Sequence, residues 1–255
     1  MDAELLDHVL AVVRAAPLRH EPFDHLYFEG IFPEPLYAEL MGSLPDPALF
    51  EPLYHKDALR ADGSTTRSTL TLAPEPLASL PERTRELWLA CARVFGSAEV
   101  REALLSRYPG VLGARFGGVA EVPALEGTVK LQRDEPGYKI GIHPDTSDKV
   151  VLLQLYLAPD DAHVEMGTAI YRRAGQGFAK IDTLPFRRNS GYSFARTEES
   201  WHGVEPTAAL RYSLTLNYRL KSQKLRRGFK KRFLRQVARW MRRGGAQEPG
   251  PLRAS

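Results

Sequence analysis

The spacing of apolar residues divides the chain into a helical part and a strand-rich part, which meet near residue 110. In residues 3–15 the apolar positions recur with helical spacing, at Leu5, Leu6, Val9, Leu10 and Val13. Further elements are predicted as a strand within 22–32, a helix over 33–45 with proline at its entry, a polar loop over 57–68, and two helices within 81–108 that break at Gly96 and Ser97.

After residue 110, short apolar or alternating runs recur between Gly, Pro, Asp and Asn turns. They lie at 127–133, 138–143, 149–157, 167–173, 178–185, 191–196 and 211–220. Strands at this spacing, without helices between them, indicate an antiparallel sandwich or barrel. The predicted fold class is α+β, mainly β: a double-stranded β-helix (jelly roll or cupin-like) with supporting N-terminal helices and a basic C-terminal helix.

The composition is that of an ordinary globular protein, with 43% hydrophobic and 26% charged residues among 255. No run of 18 apolar residues is present, so no membrane span is predicted. The start "MDAELLDHVL" is acidic where a secretory signal is basic, and a single cysteine, Cys91, excludes an internal disulfide. These features predict a cytoplasmic protein.

The net charge of +4 hides an uneven distribution. Residues 220–243 hold 11 Lys and Arg and no acid, and Glu248 and Arg253 cancel, so the first 219 residues carry 4 − 11 = −7. Within this basic stretch an apolar residue recurs every fourth position, at Leu225, Phe229, Phe233, Val237 and Met241. This pattern predicts an amphipathic helix that either packs on the acidic body or binds an anionic lipid surface, which would place the protein peripherally at a membrane.

The predicted organisation is a single domain over residues 1–243. It comprises a helical support over about 1–110, a β core over about 111–220 and the basic helix over 221–243, and a disordered tail follows at 244–255. No nucleic-acid-binding fold is recognised, so nucleic acid is not an expected partner.

His143 and Asp145 stand just before a strongly apolar run, Val150 to Leu157. Residues two apart on an extended chain point the same way, so this pair could present an imidazole and a carboxylate to one point. The pattern is weak by itself, since the chain contains a second copy, His55-Lys-Asp57. That copy leads into a polar loop and is interpreted as a surface pair.

A second candidate region lies in "SWHGVEPTAALRYSLTLNYRL", residues 200–220. His202 precedes a strand that begins at Arg211 and alternates sharply, with Tyr212, Leu214, Leu216, Tyr218 and Leu220 on one face. Arg211, Ser213, Thr215, Asn217 and Arg219 form the other face. If Arg211 and Ser213 face the interior, they need an anion.

Two histidines and one carboxylate on a β scaffold make the facial triad of non-heme Fe(II) oxygenases. His143-x-Asp145, His202 and Arg211-x-Ser213, in this order and spacing, resemble the Fe(II)/2-oxoglutarate-dependent dioxygenases over roughly residues 126–220. "SWHGVEP" and "RYSLTLNY" are similar to the branch that contains prolyl hydroxylases. The resemblance implies that the triad binds Fe(II), that Arg211 pairs with the distal carboxylate of 2-oxoglutarate, and that Ser213 hydrogen-bonds that carboxylate.

Tyr156 fits the family's tyrosine on the strand after His-x-Asp, which implies a further contact to 2-oxoglutarate. Taken singly, each residue has a plainer interpretation: His202 as a structural histidine, Arg211 as a salt-bridge partner, and Tyr156 as a core aromatic. The aspartate argues against the related halogenases, which need that ligand position for halide.

The resemblance implies an enzyme that uses O2 to hydroxylate its substrate and releases succinate and CO2. We expect a small-molecule or glycan-like substrate. The alternatives are a peptidyl-prolyl hydroxylase of the same superfamily and a non-catalytic β-sandwich module that binds an anion without iron.

Overall fold

The structure is a computed structural model that describes residues 1–221, of which Met1–Leu220 form one compact unit. Its helices are α1 (Asp2–Ala15), α2 (Glu34–Gly42), α3 (Glu82–Phe95), α4 (Ala98–Leu105) and α5 (Pro109–Phe116). Three short 3₁₀ turns lie at Pro47–Leu49, Lys56–Ala58 and Val164–Met166. The helices predicted within the described residues are confirmed, including the break at Gly96 and Ser97. Helix α5 was not predicted.

Twelve strands are formed within the described residues. They are β1 (His25–Glu29), β2 (Glu51–Pro52), β3 (Arg67–Thr71), β4 (Leu125–Glu126), β5 (Lys130–Asp134), β6 (Ile140–His143), β7 (Lys149–Tyr156), β8 (Thr168–Ala174), β9 (Gly177–Leu184), β10 (Ser190–Ala195), β11 (Trp201–Val204) and β12 (Arg211–Leu220). The larger sheet has the order β1-β10-β7-β12-β5-β3-β2, with β4 added to β12. The smaller sheet has the order β6-β11-β8-β9.

The larger sheet is covered on both faces, which explains its apolar central strand. Residues Val150 to Tyr156 of β7 are all buried. One face of this sheet packs against the helices in a core that includes Leu5, Trp88 and Leu214. The other face meets the smaller sheet, where the Phe194 ring of β10 lies 4.8 Å from the His202 ring of β11. A strand that is covered on both faces has a continuous run of hydrophobic residues in its sequence.

Strand β12 confirms the predicted alternation. Leu214, Leu216 and Tyr218 belong to the core beneath the helices. Arg211 and Thr215, on the opposite face, line a cavity between the two sheets. The polar face of this strand therefore points into the protein and not into solvent.

All pairings between strands are antiparallel, and the predicted mainly β fold with supporting helices is confirmed. Among the strands, β3 begins inside the predicted loop 57–68, and His202 lies within a strand, β11, that was not predicted. No helix in the described part of the chain is long and apolar enough to cross a membrane. The predictions for the basic helix 221–243 and the tail 244–255 fall outside the described residues, apart from Lys221.

Candidate active site

The three predicted metal ligands are brought together from two strands and a loop. One ligand atom from each of His143, Asp145 and His202 lies within 4.8 Å of the other two. His143 on β6 is the register partner of His202 on β11, and their ring centroids are 4.5 Å apart. Asp145 follows two residues after His143, where the chain leaves β6. Antiparallel pairing thus joins residues that are 59 positions apart in the sequence.

Both histidines are oriented by their own backbone. Nδ1 of His143 lies 2.8 Å from the carbonyl oxygen of Gly141, and Nδ1 of His202 lies 2.9 Å from that of Ser200. A carbonyl oxygen only accepts, so each Nδ1 carries the proton and donates it. In its neutral form each ring then presents its Nε2 lone pair, which is the form that binds a metal. Burial lowers the pKa of His202 to about 4, so its ring is neutral at pH 7.

Asp145 likewise has one side-chain oxygen available to a metal. Its Oδ1 is paired with the ammonium group of Lys149, while its Oδ2 is buried and has no hydrogen-bond partner among the described residues. Burial raises the pKa of the Asp145 carboxyl, but the neighbouring His202 and Lys149 outweigh it, and the pKa lies below its usual value. A buried, ionised oxygen without a partner is costly unless a cation completes it. Two imidazole nitrogens and one carboxylate oxygen fit Fe(II).

Arg211 is the second predicted anchor, and it is 1% exposed. Its Nη1 donates to the carbonyl oxygen of Met166 at 2.7 Å, while its Nε is buried without a hydrogen-bond partner within the described chain. The nearest carboxylate, Asp134, is already held by Arg67 through two bonds of 2.6 and 2.8 Å. Two guanidinium groups thus share one carboxylate, which leaves Arg211 able to bind another anion.

Ser213 and Tyr156 lie in a buried polar network beside Arg211. Ser213 is 3.3 Å from Gln154 and 3.4 Å from Gln132, through side-chain oxygen and amide atoms. The Tyr156 hydroxyl lies 3.1 Å from the Thr168 hydroxyl and 3.2 Å from the carbonyl oxygen of Leu184, and it accepts a hydrogen bond from the Thr168 backbone N–H at 2.9 Å. Neither Ser213 nor Tyr156 lines the cavity, although the Tyr156 ring lies 5.6 Å below the Arg211 guanidinium.

A cavity of about 100 Å³ joins the triad to Arg211. Its polar lining comes mostly from the larger sheet: Arg67, Gln132, Lys149, Gln154, Tyr192, Arg211, Thr215 and Asn217. Ile140, Leu152 and Val204 add apolar surface beside the triad. The second His-x-Asp copy contributes nothing to this lining. His55 and Asp57 lie near the surface, where the Asp57 carboxylate accepts the Gly141 backbone N–H.

Sequence reasoning missed several cavity residues. Arg67 had been placed in a polar loop, and Lys149 and Tyr192 were seen only as parts of strands. The Tyr192 hydroxyl lies 3.1 Å from Gln154 and 2.9 Å from the Thr168 hydroxyl. Tyr138 also lines the cavity, whereas its neighbour Lys139 is exposed and Arg133 pairs with Glu135. The alternation of β10 was the one signal that could have placed Tyr192.

Comparison with solved structures identifies the fold. A prolyl-4-hydroxylase from Pseudomonas putida matches with a TM-score of 0.52 and 19% identity, covering 84% of this chain and 99% of its own. A Trichoplax adhaerens prolyl hydroxylase, solved with a hypoxia inducible factor oxygen degradation domain peptide, matches with a TM-score of 0.51 and 17% identity, covering 86% and 90%. The chain has the double-stranded β-helix fold of prolyl hydroxylases.

A third match, to prolyl 4-hydroxylases from Phytophthora capsici, has a TM-score of 0.51 and 16% identity and covers 95% of this chain and 76% of the other. No protein-family model and no curated protein sequence matches this chain. Likeness at these identities concerns the fold. The chemistry must be argued from the triad, Arg211 and the cavity between them.

Proposed function

We propose that this protein is an Fe(II)- and 2-oxoglutarate-dependent oxygenase. The observation that carries the proposal is the triad itself: three ligand atoms within 4.8 Å of one another, with a bare Nε2 on each histidine and an unpartnered Oδ2 on Asp145. The shared fold of the prolyl hydroxylases supports it. When bound, iron and 2-oxoglutarate would supply oxidising chemistry, with O2 consumed and succinate and CO2 released.

The chain's own residues would bind and orient the two groups. His143, Asp145 and His202 would hold the iron, and Arg211 would bind the distal carboxylate of 2-oxoglutarate through its remaining N–H donors. Ser213 and Tyr156 are also assigned to the proposed cofactor site, because they lie beside Arg211, although neither lines the cavity. Tyr156 would support the guanidinium from below with its ring. The buried walls of the cavity would limit the access of water to the reacting groups.

The preferred substrate is a small polar molecule, such as a glycan-like metabolite, which is hydroxylated. Gln132, Thr215 and Asn217 give amide and hydroxyl groups to the cavity that the triad also lines, and such groups suit a hydroxyl-bearing ligand. Peptidyl proline is the second candidate, because all three solved structures described above are prolyl hydroxylases. The third is a non-catalytic module that binds an anion at Arg211 without iron.

Anaerobic titration with Fe(II) and 2-oxoglutarate tests the cofactor assignment. We expect the weak visible charge-transfer band of an iron-bound keto acid. His143→Ala should abolish it, while His55→Ala, a substitution in the surface copy of the same motif, should leave it unchanged. A protein that gives no band, or a band that survives in His143→Ala, would favour the anion-binding module.

Substrate-dependent succinate release tests the substrate class. A panel of small hydroxylated metabolites and proline-containing peptides is incubated with Fe(II), 2-oxoglutarate and O2, and succinate above the uncoupled background is measured. We expect a small molecule to give the fastest release. A peptide that exceeds every small molecule would establish the second candidate.

A further inference from the structure

Five successive carbonyl oxygens, from Asp145 to Lys149, accept hydrogen bonds in and just after the loop that carries Asp145. This loop joins β6 to β7 and has no regular structure between His143 and Lys149. The five carbonyl oxygens from residue 145 to residue 149 accept hydrogen bonds from, in order, Arg196 Nε (2.9 Å), Lys149 N (3.0 Å), Arg115 Nη2 (2.5 Å), Leu220 N (2.8 Å) and Arg115 Nη1 (2.7 Å). Three of the five donor groups therefore belong to two arginine side chains from outside the loop, Arg115 and Arg196.

The two arginines come from different parts of the fold. Arg115 lies in the last turn of α5, in the helical layer, and Arg196 directly follows β10 of the larger sheet. Arg115 spans two carbonyls with the two ends of its guanidinium, at Ser147 and Lys149. Arg196 takes the carbonyl of Asp145 itself. Together they connect the loop to the body of the protein on both sides of its turn.

Such contacts matter for a metal site because a ligand in a mobile loop must be ordered when the metal binds. Fixing the backbone of such a residue costs conformational entropy. Hydrogen bonds that order the loop beforehand remove this cost from the binding step. Groups that orient metal ligands in this way typically change metal affinity by about 10- to 100-fold when they are removed.

We propose that Arg115 and Arg196 are positioning residues of the metal centre, which set its affinity by holding the backbone of residues 145–149. The inference rests on the proposed function, since it requires the triad to bind a divalent metal. It adds two residues that touch neither the metal ligand atoms nor the cavity. It also couples the helical layer, through α5, to the chemistry between the sheets.

The charges of Arg115 and Arg196 by themselves would have the opposite effect on metal affinity, so a positioning role can be distinguished from an electrostatic one. Both guanidinium groups are cationic and lie close to a site for a divalent cation, so their removal should tighten metal binding by simple Coulomb repulsion. If the arginines act by position, their removal weakens binding. Arg115→Lys retains the charge but loses the planar fork that spans two carbonyls.

The test measures the affinity of the full chain for Zn(II) and Co(II) by anaerobic calorimetry. The variants are Arg115→Met, Arg115→Lys and Arg196→Met. Arg219→Met is the matched control, because the Arg219 guanidinium binds the Asp148 side chain, at 2.5 Å, and not a carbonyl oxygen of residues 145–149. Urea unfolding of each metal-free protein reports any general loss of stability.

We expect the two methionine variants to bind metal about 10- to 100-fold more weakly, Arg115→Lys to be weakened in the same direction, and Arg219→Met to stay within twofold of the wild type. Unchanged or tighter binding by folded Arg115→Lys and Arg196→Met would overturn the inference while leaving the metal site intact. A wild-type chain that binds neither metal would overturn the proposed function together with it. If Arg115→Met does not fold, the metal affinity of Arg115→Lys tests the role of Arg115 instead.

Discussion

Arg211 and Asp134 lie side by side in the interior, with Nε of the arginine 3.4 Å from Oδ2 of the aspartate. Asp134 is fully buried, and Arg67 holds both of its oxygens from the other side. The carboxylate thus compensates two cations at once and places the guanidinium of Arg211 at the end of the cavity.

Asp134→Asn should strongly destabilise the protein, since it leaves Arg67 and Arg211 without a counter-charge in the interior. Breaking a buried ion pair by removing one partner costs about 3–5 kcal/mol. Urea unfolding of the metal-free protein would measure the loss. Asp148→Asn is the control, because its pair with Arg219 is about two-fifths exposed and should contribute no more than about 1 kcal/mol. Similar losses in the two variants would contradict the role given to Asp134.

Arg211→Lys should weaken 2-oxoglutarate binding and leave metal binding unchanged. A lysine keeps the positive charge but offers a point donor in place of the fork. A lost hydrogen bond between charged groups costs about 1.5–3 kcal/mol, which corresponds to about a 10- to 150-fold rise in the dissociation constant. Calorimetric titration of the metal-loaded protein with 2-oxoglutarate would show it. Wild-type affinity in this variant would exclude Arg211 as the anchor.

The two tyrosines near Arg211 should behave differently when each is changed to phenylalanine. The Tyr192 hydroxyl belongs to a cavity-lining residue, so Tyr192→Phe should weaken 2-oxoglutarate binding by several-fold. Tyr156→Phe keeps the ring beneath Arg211 and should mainly reduce stability, because the buried Thr168 N–H then loses its acceptor, at a cost of about 1–3 kcal/mol. The comparison requires both affinity and urea unfolding. A larger affinity loss in Tyr156→Phe would show that the Tyr156 hydroxyl contacts the ligand directly.

Lys149→Met should change metal binding and 2-oxoglutarate binding in opposite directions. Lys149 occupies Oδ1 of Asp145 and leaves Oδ2 alone to bind a metal. Without the lysine, a repelling cation disappears, and the carboxylate can offer both oxygens, so the metal should bind at least as tightly. The second oxygen would then occupy a position that the keto acid needs, and 2-oxoglutarate affinity should fall.

The Co(II) visible spectrum, which responds to coordination number, provides an independent reading of the same change. Lys139→Met is the control, since Lys139 is exposed next to β6. If the spectrum and both affinities match the wild type, Lys149 does not determine how Asp145 binds.

The sequence was sufficient for those parts of the site that local pattern defines. His143 and Asp145 are two residues apart, and the alternation in β12 separates Arg211 from Leu214, so period-two geometry fixes which side chains share a face. His202 could be added only through the family resemblance, since its pairing with His143 is a long-range register. Nothing in the local sequence of β11 specifies its neighbour.

The remaining contacts depend on distances that no local pattern encodes. Arg67 reaches Asp134 because β3 pairs with β5, and Arg115 reaches residues 147–149 because α5 packs beside them. Tyr156 illustrates the reverse case: its position on β7 was foreseen, but its hydroxyl is taken by Thr168 from the opposite sheet. Which of two tyrosines faces a cavity is decided by such packing.

The position of β6 at the rim of the smaller sheet has a further consequence. Among the described residues, 1–221, this strand pairs with one neighbour, β11, and it carries His143 directly opposite His202 on that neighbour. A metal bound by both imidazole rings would cross-link β6 to β11. Amide protons of residues 140–143 should therefore exchange with deuterium faster in the metal-free protein than in the metal-loaded protein. Loss of the metal would thus destabilise β6, the strand that carries one of its own ligands.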